Sequence, residues 1–182
     1  MNPFAALAIE PKLDATPEDI EHAWREISKY QHPDAGGDER AFAAAREART
    51  ALAAASSRLA AWLELHGHLV NPRGDIAAEI MDLFTPVGSV IQRTTAIARR
   101  RATATTALGL AMLENDTLLA RADLEKRIAS IDAAIARQCA HFPAWQASPA
   151  SIDPAGAATT VRNLRFLEKW KRDLMAAYAS LA

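Results

Sequence analysis

His32, Pro33 and Asp34 stand in a row in the first fifth of a 182-residue chain. Proline fixes its own φ and lacks an N–H, so it presents its neighbours in one geometry. Histidine offers a donor and an acceptor, and aspartate an acceptor, to the polar groups of a partner. Without its flanks the triplet reads equally well as a helix-terminating turn with Asp34 as turn former. Other candidate chemistry is sparser. Arg99-Arg100-Arg101 is the densest charge run; it could meet phosphates or an acidic partner, but three arginines in a neutral chain read first as a solvated helix face. His66 and His68 flank Gly67, and His141 lies far along the chain; no third or fourth ligand stands at metal-site spacing. Cys139 is the single cysteine, which excludes an internal disulfide, a multi-cysteine zinc site and an iron–sulfur cluster held by the chain's own cysteines. It has no adjacent His/Asp arrangement and reads as a small buried residue. No phosphate loop, nucleophile elbow or pair of catalytic carboxylates occurs. The expectation is a protein that is not an enzyme, needs no metal or cofactor, and acts by binding.

The triplet sits between two helical patterns. Asn2-Pro3 reads as an N-cap and first helical residue of a short helix with Phe4, Leu7 and Ala8, closed by Pro11. Thr16 caps a second helix, with Pro17 at its first position and Asp19 closing a capping box. Ile20, Ala23, Trp24 and Ile27 form its apolar stripe, and Pro33 forces its end near Gln31. Asp34 to Asp38 form a loop, and Asp38 caps a third helix whose seam is Phe42, Ala45, Ala48 and Leu52. Ser56 or Ser57 caps a further segment with Leu59, Trp62 and Leu65, ended by Gly67. Residues 68–74, with a proline and a glycine, read as a linker. Asp75 then caps a helix bearing Ile76, Ile80, Met81 and Phe84, and Thr85-Pro86 marks a restart. The stretch 87–116 is ambiguous, alanine-rich but loaded with threonine. Helix resumes near Thr117, with Leu124, Ile128, Ile131 and Ile135 on one face. Pro143 and the stretch 148–154 read as loop. A last helix runs from about Ala157 to Leu181, with Val161, Leu164, Leu167 and Leu174 inward. Phe166 and Trp170 share a stripe of it.

Composition agrees with that pattern. Alanine makes up 42 of the 182 residues, with only seven glycines, and alanine is the best helix former and a poor strand former. Lys+Arg 21 against Asp+Glu 22 gives a net charge of −1, without the basic excess of a dedicated nucleic-acid binder. The first residues lack a basic leader with a long apolar core, and no apolar run approaches the ~20 residues of a membrane span. The expectation is an all-α, cytoplasmic protein with neither nucleic acid nor membrane as partner. Residues 1–67 form an antiparallel helical finger and 75–182 a helical hairpin or three-helix bundle.

In this setting His32-Pro33-Asp34 resembles the tip of a J domain, the module that activates DnaK-type chaperone ATPases. The residues Ser57-Arg58-Leu59-Ala60-Ala61-Trp62-Leu63-Glu64-Leu65-His66-Gly67 are similar to the end of the J domain in HscB-type co-chaperones of iron–sulfur cluster assembly. Val161-Arg162-Asn163-Leu164-Arg165-Phe166-Leu167 is similar to a segment near their C-terminus. The resemblance implies that His32, Pro33 and Asp34, with Arg25 and Lys29 on the second helix, meet a DnaK- or HscA-type ATPase. It also implies that a second domain carries an IscU-like cluster scaffold, with Ile80, Met81, Phe84 and Phe166 on the client face. The sequence departs from the family pattern in places. Gln31 stands where a tyrosine usual in the family would precede the triplet. Glu21 and Glu26 offset Arg25 and Lys29. Thr85, Pro86 and Gly88 follow Phe84 where carboxylates belong, and Met112-Leu113-Glu114 offers another alignment. Two other readings are a J-domain co-chaperone with an unrelated client and a helical adaptor without chaperone activity.

Overall fold

A computed structural model describes residues 2–32, 34 and 36–181. Among them regular structure is entirely helical. The elements are α1 (Pro3–Ala6), α2 (Pro17–Gln31), α3 (Glu39–Ala53), α4 (Ala55–Leu65), α5 (Ala78–Met81), α6 (Phe84–Thr103), α7 (Ala107–Cys139), α8 (Phe142–Ala147) and α9 (Pro154–Ala179). No described helix is long and apolar enough to cross a membrane. The chain divides into two compact units: residues 1–75 with 139–165, and residues 76–138 with 166–182.

In the first unit, capping chemistry sets the helix starts. The Asn2 side chain accepts from the N–H groups of Phe4 and Ala5, and Asp38 from those of Arg40 and Ala41. Thr16 and Asp19 form the full capping box: Thr16 Oγ1 accepts from the Asp19 N–H at 3.1 Å, and Asp19 Oδ2 accepts from the Thr16 N–H at 2.9 Å. These Thr16 bonds, backbone first and hydroxyl second, hold the Asp19 carboxyl below its ordinary range. A carboxyl lowered by folding stabilises above its unfolded value of about 3.9 and stops doing so as pH falls through the lower folded value. Thermal unfolding of Asp19→Asn is therefore expected to fall below wild type at neutral pH and to converge with it in acid. Curves that stay parallel would contradict this.

α2 and α3 run antiparallel, with Glu21 paired to Arg49 near one end and His32 against Phe42 near the other. Their facing surfaces bury Ile20, Ala23, Ala45, Ala48 and Leu52. The small alanines let the two helices approach closely. α4 begins after Ala54 with no side-chain cap. Ser56 and Ser57 do not cap it; Ser57 Oγ instead donates to the Ala51 and Ala54 carbonyls. Arg58, 9% exposed, donates to the carbonyls of Leu13 (2.9 Å) and Leu52 (2.7 Å). Gly67, at φ +83°, follows the end of α4, a left-handed position where glycine carries no steric cost.

Residues 68–74 and 139–165 both belong to this unit. Arg162 on α9 holds the first of these stretches: its Nε donates to Asp75 O at 3.0 Å and a terminal nitrogen to Asn71 O at 3.2 Å. Gln146 Oε1 on α8 accepts from the N–H groups of Leu13 and Asp14. The expected loop around Pro143 is instead helix α8. Proline fits a first turn, where its missing N–H has no helical partner, and Phe142 is buried.

The second unit has one apolar core. Ile80 of α5, Val87, Val90 and Ile97 of α6, Leu124 and Ile131 of α7, and Leu167, Trp170 and Leu174 of α9 all contribute. Lys171–Asp132 at 2.7 Å and Tyr178–Glu125 at 3.0 Å tie α9 to α7 at the rim. Several boundaries differ from the sequence expectation. Asp75 caps nothing, since α5 starts after Ala77, and the restart falls at Phe84, with Thr85 and Pro86 inside the first turn. α7 starts at Ala107 and not near Thr117, because Thr106 Oγ1 accepts from the Gly109 N–H and the leucine- and alanine-rich turns that follow favour helix. α9 starts at Pro154, where the Asp153 carboxylate accepts from Ala155 and Gly156. Cys139 is partly exposed, not buried.

Candidate binding sites

His32 is the C-cap of α2, and Asp34 follows as an exposed side chain. Pro33 lies outside the described residues. The Asp34 N–H donates to His32 Nδ1 at 3.2 Å. In the neutral ring that bond makes Nδ1 the acceptor and leaves the proton on Nε2, where it can be donated to a partner. The carboxylate stays open: its Oδ2 is 3.6 Å from Nδ1 and its side chain is 92% exposed.

The support below the tip comes from α3. The His32 ring stands edge-on to Phe42 at 5.1 Å, Phe42 packs on Trp24 at 5.2 Å, and the Arg49 guanidinium lies over Trp24 at 5.7 Å. Such ring contacts favour edge and tilted geometry, and so fix orientation as well as adding apolar burial. The loop closes through Gln31, whose Oε1 accepts from the Asp38 N–H at 3.3 Å, and through the Gly37 N–H, which donates to His32 O at 3.1 Å. Gly37 passes so close to α2 that a Cβ on it would lie 2.3 Å from the Gln31 carbonyl carbon. The roles of Gln31 and Gly37 were not apparent in the sequence. The adjacent glycines at 36 and 37 were the available signal, but only the fold shows what the second of them touches.

Arg25 and Lys29 lie one turn apart on the exposed side of α2. Lys29 Nζ is paired with Glu26 Oε1 at 2.5 Å, whereas Arg25 has no ion pair among the described residues.

The residues expected on a client face are all in the second unit. Met81, Phe84 and Phe166 are 46%, 58% and 40% exposed, and Ile80 is 1% exposed. Ile80 therefore sits in the core and anchors α5 without presenting a side chain. Phe84 and Phe166 flank one ring: their centroids lie 6.2 and 5.9 Å from that of the buried Trp170. An apolar patch thus centres on Trp170, built from Phe84 and Phe166, which are far apart in sequence. Leu113 of the alternative alignment is buried, and Met112 is exposed.

The remaining sequence candidates have local explanations. Arg100 pairs with Asp116 at 3.6 Å and Arg101 with Glu114 at 3.4 Å across α6 and α7. His66 packs tilted against Trp62, and His141 stacks on Trp145. No group of three or more His, Cys, Asp or Glu among the described residues could hold a metal ion. A cleft of about 450 Å³ in the first unit, floored by Ala48, Ala51, Ala60 and Ala61, contains none of the candidate residues. No family model matches the chain, and no curated protein matches it.

Proposed function

We propose that this protein is an HscB-like J-type co-chaperone: its finger stimulates a DnaK- or HscA-type ATPase, and its second unit carries a client of the IscU-like scaffold class. The observation that carries the reading is the tip. An exposed imidazole, oriented by a hydrogen bond from the Asp34 N–H and resting on an aromatic support that runs to Arg49, stands beside an open carboxylate at the end of an antiparallel hairpin. That arrangement fits presentation of polar groups to a partner. The chain performs no chemistry of its own in this reading and works in the cytoplasm. The finger binds the ATP state of the chaperone, with affinity that increases toward the hydrolysing conformation, since only differential affinity shifts such an equilibrium. His32 Nε2–H and the Asp34 carboxylate supply the contacts; Arg25 and Lys29 steer the encounter.

Delivery falls to the Trp170 patch. Aromatic residues on a solid floor are the usual anchors of a protein interface, and Phe84 and Phe166 have that form here. The test has two arms. The full chain is titrated into purified DnaK- and HscA-type ATPases, and an IscU-like scaffold is captured with wild type and with Phe84→Ser. Stimulation of either ATPase, with capture that falls about thirtyfold in the variant, is expected; loss of an aromatic anchor is on the order of 2 kcal/mol. Stimulation without any scaffold capture would leave a J-type co-chaperone with a different client. Absence of both would favour the adaptor reading.

A further inference from the structure

The exposed side of α2 is short of positive charge. The helix carries Arg25 and Lys29 against Glu18, Asp19, Glu21 and Glu26. Three of these carboxylates lie away from the two cations or are engaged elsewhere. Asp19 closes the cap, Glu18 lies in the first turn, and Glu21 binds Arg49 of α3 at 2.6 Å. Glu26 differs. It sits between Arg25 and Lys29 in sequence and takes the Lys29 ammonium at 2.5 Å, drawing it back along its own helix, one turn short of His32. The same hydrogen bond holds the Glu26 carboxyl below its ordinary range.

We infer that Glu26 is a positioning residue that holds Lys29 off the docking partner and thereby sets how tightly, and for how acidic an ATPase surface, the finger docks. The inference rests on the co-chaperone reading and concerns the same site. A partner carboxylate gains Lys29 only by displacing Glu26, so the apparent affinity is lowered by the fraction of time that Lys29 is paired. A strongly acidic surface, which would otherwise engage Lys29 fully, then loses more than a weakly acidic one, and the pair damps the preference for acidic partners. Exposed pairs are weak and screened by salt, so the effect is a few-fold one that is largest at low ionic strength.

The test uses the full chain as wild type, Glu26→Gln, Lys29→Gln and the double variant, each titrated into a purified DnaK-type ATPase at low and at near-physiological salt. Glu26→Gln is expected to lower the half-stimulating concentration about threefold at low salt. Maximal stimulation should be unchanged, and the gain should shrink with salt and vanish in the Lys29→Gln background. A half-stimulating concentration that is unchanged or raised would overturn the inference, as would a gain that persists undiminished without Lys29. Both outcomes leave the co-chaperone reading standing, because wild type stimulates in them. A wild type that stimulates nothing removes that reading and this inference with it.

Discussion

Replacing Arg58 with methionine is expected to destabilise the first unit by about 3 kcal/mol, because two buried carbonyls lose a charged donor at once. The guanidinium joins three elements. It donates to Leu52 O in the last turn of α3, where the helix carbonyls have no partner of their own. It donates also to Leu13 O, between α1 and α2, from its own place on α4. Methionine keeps most of the apolar stem, so the loss reports the hydrogen bonds and not a cavity. For a chain of this length the melting temperature should fall by roughly 8 °C. Urea unfolding followed by tryptophan fluorescence checks it, since Trp62 is buried in the same helix. A loss below about 1 kcal/mol would show that water takes over both carbonyls without cost.

The second large effect is expected at Gly37. A methyl group there would sit 2.3 Å from the Gln31 carbonyl carbon and 2.5 Å from its oxygen and Cα. Both sides of that contact are backbone, so no side chain can swing away and the loop itself must move. The Gly37–His32 and Asp38–Gln31 bonds would break, and the imidazole would lose its place over Phe42. Gly37→Ala is expected to cost about 2 kcal/mol through strain and lost hydrogen bonds. It should also reduce ATPase stimulation at least tenfold, with the helix content of the remainder unchanged. Gly36→Ala is a useful contrast: its φ of +79° is strained for alanine, yet no atom lies within 4 Å of the added carbon. It should cost less than Gly37→Ala.

Much of this architecture is legible in the sequence because the signals are local. The Thr16-Pro17-Asp19 box, the Asp38 cap and the Ala45-Ala48-Leu52 seam depend on residues within one or two turns, and each appears where its chemistry puts it. Val161, Leu164, Leu167 and Leu174 are fully buried, as their spacing implies. The missed features depend on distant partners. Nothing near Gln146 in sequence indicates that its side chain receives the N–H groups of Leu13 and Asp14, more than 130 residues earlier. Nothing near Gly74 indicates that it lies against the Arg162 guanidinium, which an added Cβ would meet at 3.0 Å. The threonines of 103–106 hid the start of α7, although Thr106 itself makes the local bond to Gly109 that begins the helix. At the candidate sites the sequence names His32, Asp34, Phe84 and Phe166. It does not show that Trp170 brings the last two together, or that Ile80 belongs to the core.

The most direct measurement is single-turnover ATP hydrolysis by DnaK- and HscA-type chaperones in the presence of this chain, with wild type and His32→Gln compared side by side. Glutamine keeps polarity and helix-end compatibility but cannot reproduce the imidazole that accepts from Asp34 and rests on Phe42. The account predicts clear acceleration by wild type, none by His32→Gln, and a melting temperature only a few degrees lower in the variant, since one edge-on ring contact is worth about 1 kcal/mol. Equal acceleration by both, or none by either with both chaperones, would contradict it.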